Sequence, residues 1–287
     1  MKYEIFMDVS GDIDAQEAEK NGLKFIPMEY SVGDEMKTCV GIESYATLKR
    51  FYDGQRGGDL TKTSQINQYM YEEFFAPYLE KGITVLCLCL SSGLSSTFSA
   101  ATLAAENLNK KYENAKFVPV DTLSATAGLG ILCNKAFKNR ENGLSAEENK
   151  ADLDALKTKI KMWFYVQDLN YLKRGGRISP ATAFFGSMLN IKPILVIDEN
   201  GKLITTDKKR GDKAAANHLV ETLINEYDEN AADFVYVGHA DNLPMAEYVE
   251  EKIKEAFPSV KVKKVILSPI IGAHTGPGMV FVGYISK

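Results

Sequence analysis

Three stretches of the chain hold side chains that could do chemistry together: Lys62-Thr63-Ser64-Gln65, the run from Ser91 to Ser99 (SSGLSSTFS), and the run from Ile270 to Gly278 (IIGAHTGPG). Hydroxyls and an imidazole are directional hydrogen-bonding groups without a permanent charge, suited to holding the oxygens of an acid headgroup. The glycines around His274 let backbone approach a ligand closely. Each stretch also has a plainer reading. The serines can cap a helix and make its turn, and a histidine in a glycine loop can be satisfied by a carbonyl. Two clusters of the same chemistry in distant parts of one chain favour the anion.

The elements that must position these groups follow from the pattern. Ile83 to Leu90 is an uncharged run of mostly β-branched and aliphatic residues, a strand buried on both faces. From Ser95 or Ser96 the period turns helical, with Phe98, Ala101, Ala105 and Leu108 on one stripe and a serine upstream as cap. The unpaired N–H groups and the dipole at such a helix start favour negative charge. Thr63 or Ser64 could cap the amphipathic helix Asn67 to Glu80. Strand Tyr3 to Met7 ends at Asp8 and strand Lys116 to Val120 at Asp121, so both carboxylates share a strand-end rim with the serine loop. Asp121 to Ser124 leads into a helix of small residues running through Ala136. Phe25 to Tyr30 reads as a strand, Ser31 to Lys37 as a polar loop, Ser44 to Tyr52 as a helix, and Asp53 to Asp59 as an exposed glycine-rich segment. Strands alternating with helices imply a parallel sheet covered on both sides.

Around Glu141 to Glu148 the chain becomes polar, which places a domain boundary near residue 150 and divides it into 1–150 and 151–287. A helix through Lys161 leads to strand Met162 to Val166, and a small-and-aromatic helix spans Ala181 to Leu189. Strand Ile191 to Ile197 turns at Asp198-Glu-Asn-Gly201 into Lys202 to Thr206, and Lys208 to Lys213 reads as a basic turn before the helix Ala214 to Tyr227. Strand Asp233 to His239, helix Pro244 to Ala256, strand Val260 to Ile266 and strand Met279 to Ile285 complete an α/β second half.

Composition narrows the partners. With 287 residues, 45% hydrophobic and 25% charged, the chain is globular and long enough for two α/β domains. A formal net charge of −4 gives no electrostatic footprint for nucleic acid. No apolar run reaches the length of a membrane span and the N-terminus lacks the pattern of a signal peptide, so the expected setting is cytoplasmic. Four cysteines without a C-x-x-C pair read as reduced structural thiols, and three histidines without H-E-x-x-H leave little to build a metal site from. No cofactor is expected.

Taken in order, Lys62-Thr63-Ser64-Gln65, the Ser91 to Ala100 run, Leu169 to Ser179 (LNYLKRGGRIS), Leu189 to Ile194 (LNIKPI) and His274 to Gly278 (HTGPG) resemble the DegV family of bacterial fatty-acid-binding proteins over essentially the whole chain. The resemblance implies two unlike α/β domains, the first three-layered on a mainly parallel sheet and the second on a mixed sheet, with a long-chain fatty acid in the cleft between them. It implies that the carboxylate is held by Thr63 or Ser64, by Ser95 with Ser96 beside it, and by His274 and the loop at Thr275 and Gly276. Phe184, Phe185, Met188 and the neighbouring Leu189 are candidates for the tail wall, or ordinary core. Some members of the family serve as the binding subunit of a fatty-acid kinase, presenting the carboxylate to an ATP-binding partner. Arg174, Arg177 and Arg210 are then candidates for contact with that partner or a phosphate, with buried scaffolding the alternative for Arg174 and Arg177.

Departures from the family pattern fall at Ile66, where proline is usual, at Val9, and at Asp212, where a second arginine is usual. No nucleotide-binding glycine loop is present, so ATP must come with a partner and the chain itself is read as a lipid-binding protein rather than an enzyme. A serine hydrolase with Ser95 as nucleophile and His274 as base is the alternative from another class, although no G-x-S-x-G elbow is present. A lipid carrier without any kinase is the third.

Overall fold

The computed structural model describes residues 3–179 and 190–287. A four-stranded parallel sheet has the order β2-β1-β6-β7, formed by β1 (Tyr3–Asp8), β2 (Lys24–Ile26), β6 (Thr84–Cys89) and β7 (Phe117–Asp121). Its central strand β6 is the charge-free run of the sequence, and five of its six residues are buried. Both β6 cysteines sit on that strand, and all four cysteines are buried thiols. Helices α3 (Gln68–Glu80) and α4 (Thr97–Lys111) pack as a pair against β6 and β7. A second pair, α5 (Ala127–Glu141) and α6 (Ala146–Leu156), packs against β1, β6 and β7.

The second sheet is six-stranded and mixed, in the order β10-β9-β8-β13-β11-β12. Its strands are β8 (Ile160–Tyr165), β9 (Ile191–Ile197), β10 (Leu203–Arg210), β11 (Phe234–His239), β12 (Lys261–Ile266) and β13 (Val280–Ile285). Only β11 and β12 run parallel. Helices α8 (Asp212–Glu226) and α9 (Leu243–Ala256) cover it as a pair. The short α7 (Asn170–Arg174) and α10 (Pro269–Thr275) carry the chain back to the first half.

Helix α5 explains its own composition. It touches β1 and β6 on one side and β8 and β13 on the other, so it lies between the two sheets, and its residues from Ala127 to Cys133 are all buried. A helix buried all round must be apolar all round, and where two sheets approach it the side chains must be small. A Cβ at Gly130 would lie 2.5 Å from the carbonyl oxygen of Asp12.

Several sequence expectations need correction. The polar stretch Ser31 to Lys37 is a β-hairpin, β3 (Met28–Val32) to β4 (Glu35–Cys39), turning at Gly33 with φ 58°; with β5 (Thr61–Thr63) it makes a third, antiparallel sheet. The expected single strand Phe25 to Tyr30 is split into β2 and β3 around Pro27, which has no N–H to give. Helix α2 (Tyr45–Arg56) runs on into the first half of the segment Asp53 to Asp59 expected to be exposed and glycine-rich, because Leu48, Phe51, Tyr52 and Gln55 continue one buried stripe, while Gly57 to Asp59 are exposed. The basic turn at Lys208 to Lys213 is the end of β10 followed at once by α8, since Lys208, Lys209 and Arg210 pair with Pro193, Lys192 and Ile191 of β9. The glycine-rich stretch with His274 is largely the helix α10. Phe184, Phe185, Met188 and Leu189 lie outside the described residues.

Candidate functional site

Ser95 is delivered by the loop after β6, and carboxylates set that loop. Buried Asp8 accepts from the Leu90 N–H (2.7 Å), from the Ser10 N–H (3.0 Å) and from the Ser10 hydroxyl. Burial raises its pKa against the pull of these donors. Asp121 accepts from the N–H groups of Ser92 and Leu123, each at 3.1 Å. Both acids of the strand-end rim therefore hold backbone in place. Ser10, with its hydroxyl on Asp8, is part of the same support. From the other half, the β9–β10 turn closes on the loop: the Ser91 hydroxyl donates to the Gly201 carbonyl at 2.8 Å, and the Gly93 Cα faces the carbonyls of Asn200 and Gly201.

Within the loop the two serines diverge. Ser95 is half-buried, and its Oγ accepts from the Thr97 N–H (3.2 Å) and shares a hydrogen bond with the Thr97 hydroxyl (2.9 Å), which makes it the hydroxyl that caps α4. Ser96 sits at the cap position, is exposed, and makes no capping bond. Asn67, not Thr63 or Ser64, caps α3 by accepting from the Met70 N–H at 3.0 Å. Thr63 instead ends β5.

Thr63 Oγ1 lies 2.8 Å from His274 Nε2, a bond between residues 211 apart in sequence. Helix α10 is brought to that point by the first half. The Gln55 amide donates to the Gly272 carbonyl (3.0 Å), the Thr61 hydroxyl to the Ala273 carbonyl (3.1 Å), and the Tyr52 hydroxyl to the Leu267 carbonyl (2.9 Å). Of these carbonyls, that of Ala273 is one the helix end leaves unpaired, while that of Gly272 also accepts from the Gly276 N–H at 3.0 Å. Burial, aided by the charge of Arg177, lowers the His274 pKa to about 4, so the imidazole is neutral at pH 7. Its Nδ1 is buried without a hydrogen-bond partner.

A cavity opens beside this bond. Its polar lining is Thr63, Ser64, Gln65, Ser95, Thr126, Arg177, His274 and Thr275. Its apolar wall draws on both halves, from Met28, Leu90 and Leu94 to Phe164, Ile197 and Leu203. It encloses about 70 Å³ open to water-sized molecules, within roughly 710 Å³ of space reaching out to its mouth. Ser64 borders the cavity but is otherwise exposed. Thr275 lines it while its hydroxyl donates back to the Ile271 carbonyl at 3.2 Å. Gly276, at φ 73°, lies against the Tyr171 ring, where a Cβ would come within 2.4 Å. Ser96 and Gly276 are not among the lining residues.

The three arginines part company. Arg177 lines the cavity, donating from Nε to the Leu94 carbonyl at 3.1 Å and from Nη1 to the Gly175 carbonyl. Arg174 is exposed over the Tyr171 ring, 4.6 Å from its centroid, so it is no buried scaffold. Arg210 is exposed at the end of β10. Asp212 turns inward to the Gln167 amide (2.6 Å) and lies 3.5 Å from Lys192.

Sequence reasoning missed Gln55 and Thr61, which steady α10, and Thr126 on the cavity wall. The i, i+3, i+4, i+7 spacing of Leu48, Phe51, Tyr52 and Gln55 was the available signal for the first. Thr126 has φ 50°, rare for a β-branched residue and invisible in sequence. Because the Thr63 hydroxyl is the partner of the His274 ring, Thr63→Val keeps the shape and removes the bond. Ligand affinity for the cavity is expected to fall about 5- to 20-fold, the worth of one or two hydrogen bonds, and calorimetry on the variant reads it.

Comparisons with known proteins bear on the family and the fold. The chain is 34% identical over 290 residues to a fatty acid-binding protein of Thermotoga maritima, covering 99% of this chain and 97% of that one. A DegV lipid-binding protein of the same organism superposes with a TM-score of 0.85 at 29% identity, over 100% of this chain and 99% of the other. The Streptococcus pneumoniae fatty acid kinase B3 protein, loaded with linoleic acid, shares the fold with a TM-score of 0.84 at 20% identity, over the full length of both. The family model described as "Uncharacterised protein, DegV family" matches residues 2–287, and the chain belongs to that family.

Proposed function

We propose that this protein binds a long-chain fatty acid, with the carboxylate among Thr63, Ser95 and His274 and the tail along the apolar wall, and presents the acid to an ATP-binding partner. The Thr63–His274 bond at the wall of a largely apolar cavity carries the reading. A buried carboxylate must be hydrogen-bonded, and neutral hydroxyls can do this without a bidentate arginine. The tail supplies affinity. At ~0.8 kcal/mol per methylene, ~14 methylenes of a sixteen-carbon acid gain ~11 kcal/mol before the costs of association. In the partner's reaction a carboxylate oxygen attacks the terminal phosphorus of ATP, the bond to the bridging oxygen breaks, and ADP leaves with that electron pair. The cavity draws its walls from both halves, and because α6 packs on β6 and β7 we infer that the domain boundary falls after Leu156.

The hydrolase alternative is not favoured: among the described residues no hydrogen bond joins the Ser95 hydroxyl to His274, as a nucleophile and its base require. Mass spectrometry of whatever is extracted from the purified protein tests the binding. A fatty acid is the expected result, and a polar metabolite would sink it. Mixing the protein with its cognate ATP-binding subunit, labelled ATP and a fatty acid should yield acyl phosphate; binding without it leaves a lipid carrier.

A further inference from the structure

The cavity is not the whole of the site. Beyond its wall lies a second, open basin of about 540 Å³, whose lining includes Gly93, Leu94, Lys173, Arg177, Lys202 and Leu203. Three residues, Leu94, Arg177 and Leu203, line both spaces, so they form the septum between them. The basin brings three cations together on a chain whose net charge is −4, and no carboxylate is among its lining residues that the structure describes. Arg177 spends its donors on the neutral carbonyls of Leu94 and Gly175. Among the described residues neither Lys173, Lys202 nor Arg177 makes an ion pair, whereas Lys150, Lys157, Lys252 and Lys254 each have an acidic partner.

We propose that this basin is an anion site for a phosphate-bearing ligand, lying one side chain away from the acid headgroup in the cavity. Three unpaired cations converging on a concave surface concentrate negative charge, and flexible lysines match the spread charge of a polyphosphate. Residues of both halves build it. Lys173 and Arg177 come from the α7 region, Lys202 from the β9–β10 turn, and Gly93 and Leu94 from the serine loop, with the close approach at Gly93 keeping the turn and the loop together. If the cavity holds a fatty acid, Arg177 is the group placed to face both the carboxylate and the incoming phosphoryl group. That last step rests on the proposed function; the basin itself does not.

Inorganic pyrophosphate is the probe, titrated calorimetrically into the purified protein at low and at moderate salt. Millimolar or tighter binding is expected, weakening as salt screens the lysines. The double variant Lys173→Gln, Lys202→Gln should weaken it about 10-fold or more while changing affinity for palmitate less than 2-fold, because neither lysine lines the cavity. No pyrophosphate binding, or equal binding to the double variant, overturns the proposal. So does a response confined to anionic phosphatidylglycerol vesicles that is lost in the double variant, which would make the lysines a lipid surface. A protein that binds pyrophosphate in this way but no fatty acid would leave the basin standing and defeat the proposed function alone.

Discussion

Replacing Gly175 by alanine is expected to weaken fatty-acid binding about 30- to 100-fold while leaving the fold intact. Gly175 ends α7 with φ −69° and ψ −13°, ordinary helical values that alanine adopts without strain. Its Cα, however, lies against the imidazole, and an added Cβ would sit 2.2 Å from His274 Nδ1. Two atoms cannot share that distance, and the ring is the mobile party. It must swing away from Thr63, breaking the bond from its Nε2 at the wall of the cavity. Losing a positioned imidazole and misplacing a hydroxyl costs about 2–2.7 kcal/mol of binding, which converts to the stated range. Calorimetry with palmitate and a melting curve separate the outcomes. Affinity within 3-fold of the parent, with an unchanged melting temperature, would show that His274 does not hold the headgroup. The companion His274→Ala should match Gly175→Ala in affinity, since both act through one ring.

That dependence shows where sequence reasoning reaches and where it stops. The strand at Thr84–Cys89 was legible because an uncharged run has few homes outside a buried sheet, and the serine loop because hydroxyls and glycine cannot continue it. The convergence of Ser95 and His274 on one cavity is compatible with the family resemblance, though no periodicity in the chain implies it. What stayed hidden depends on contacts distant in sequence. Which of Ser95 and Ser96 faces inward is set by the register at which α4 starts. The helix over Pro269–Thr275 is tied to first-half side chains, Gln55 and Thr61, through its carbonyls, a contact that glycine content alone does not show. Nothing local could say that Gly175 packs against the His274 ring from a distant part of the chain.

The same distant half sets an electrostatic liability that pH will expose. Asp12 is buried where the halves meet; one carboxyl oxygen accepts from the Ser268 N–H at 3.0 Å, and the other has no hydrogen-bond partner. Burial pushes its pKa up to about 8, against one compensating backbone bond. Its surroundings offer little relief. Tyr52 and Cys39 are neutral, Asp14 and Glu43 on the wall of the adjoining hollow are acids, and Lys264 there is held by Glu250 at 2.8 Å. The folded protein therefore holds this proton more tightly than the unfolded chain, whose aspartate titrates near 4. The contribution to stability is whole below about pH 4, declines as pH rises toward 8, and is gone above it. Over three pH units the loss is on the order of 2–4 kcal/mol. Asp12→Asn keeps an oxygen for the Ser268 N–H and cannot ionise, so it removes that slope. Its melting temperature relative to the parent should rise by about 5–10 °C between pH 5 and pH 8, at 2–4 °C per kcal/mol. Comparing variant with parent cancels His239 and His274, whose pKa values burial lowers to about 4 and which favour the folded state less as pH falls below 6.5. A difference that stays constant within about 2 °C across that range would mean that Asp12 is ionised at neutral pH and that an additional donor satisfies its second oxygen.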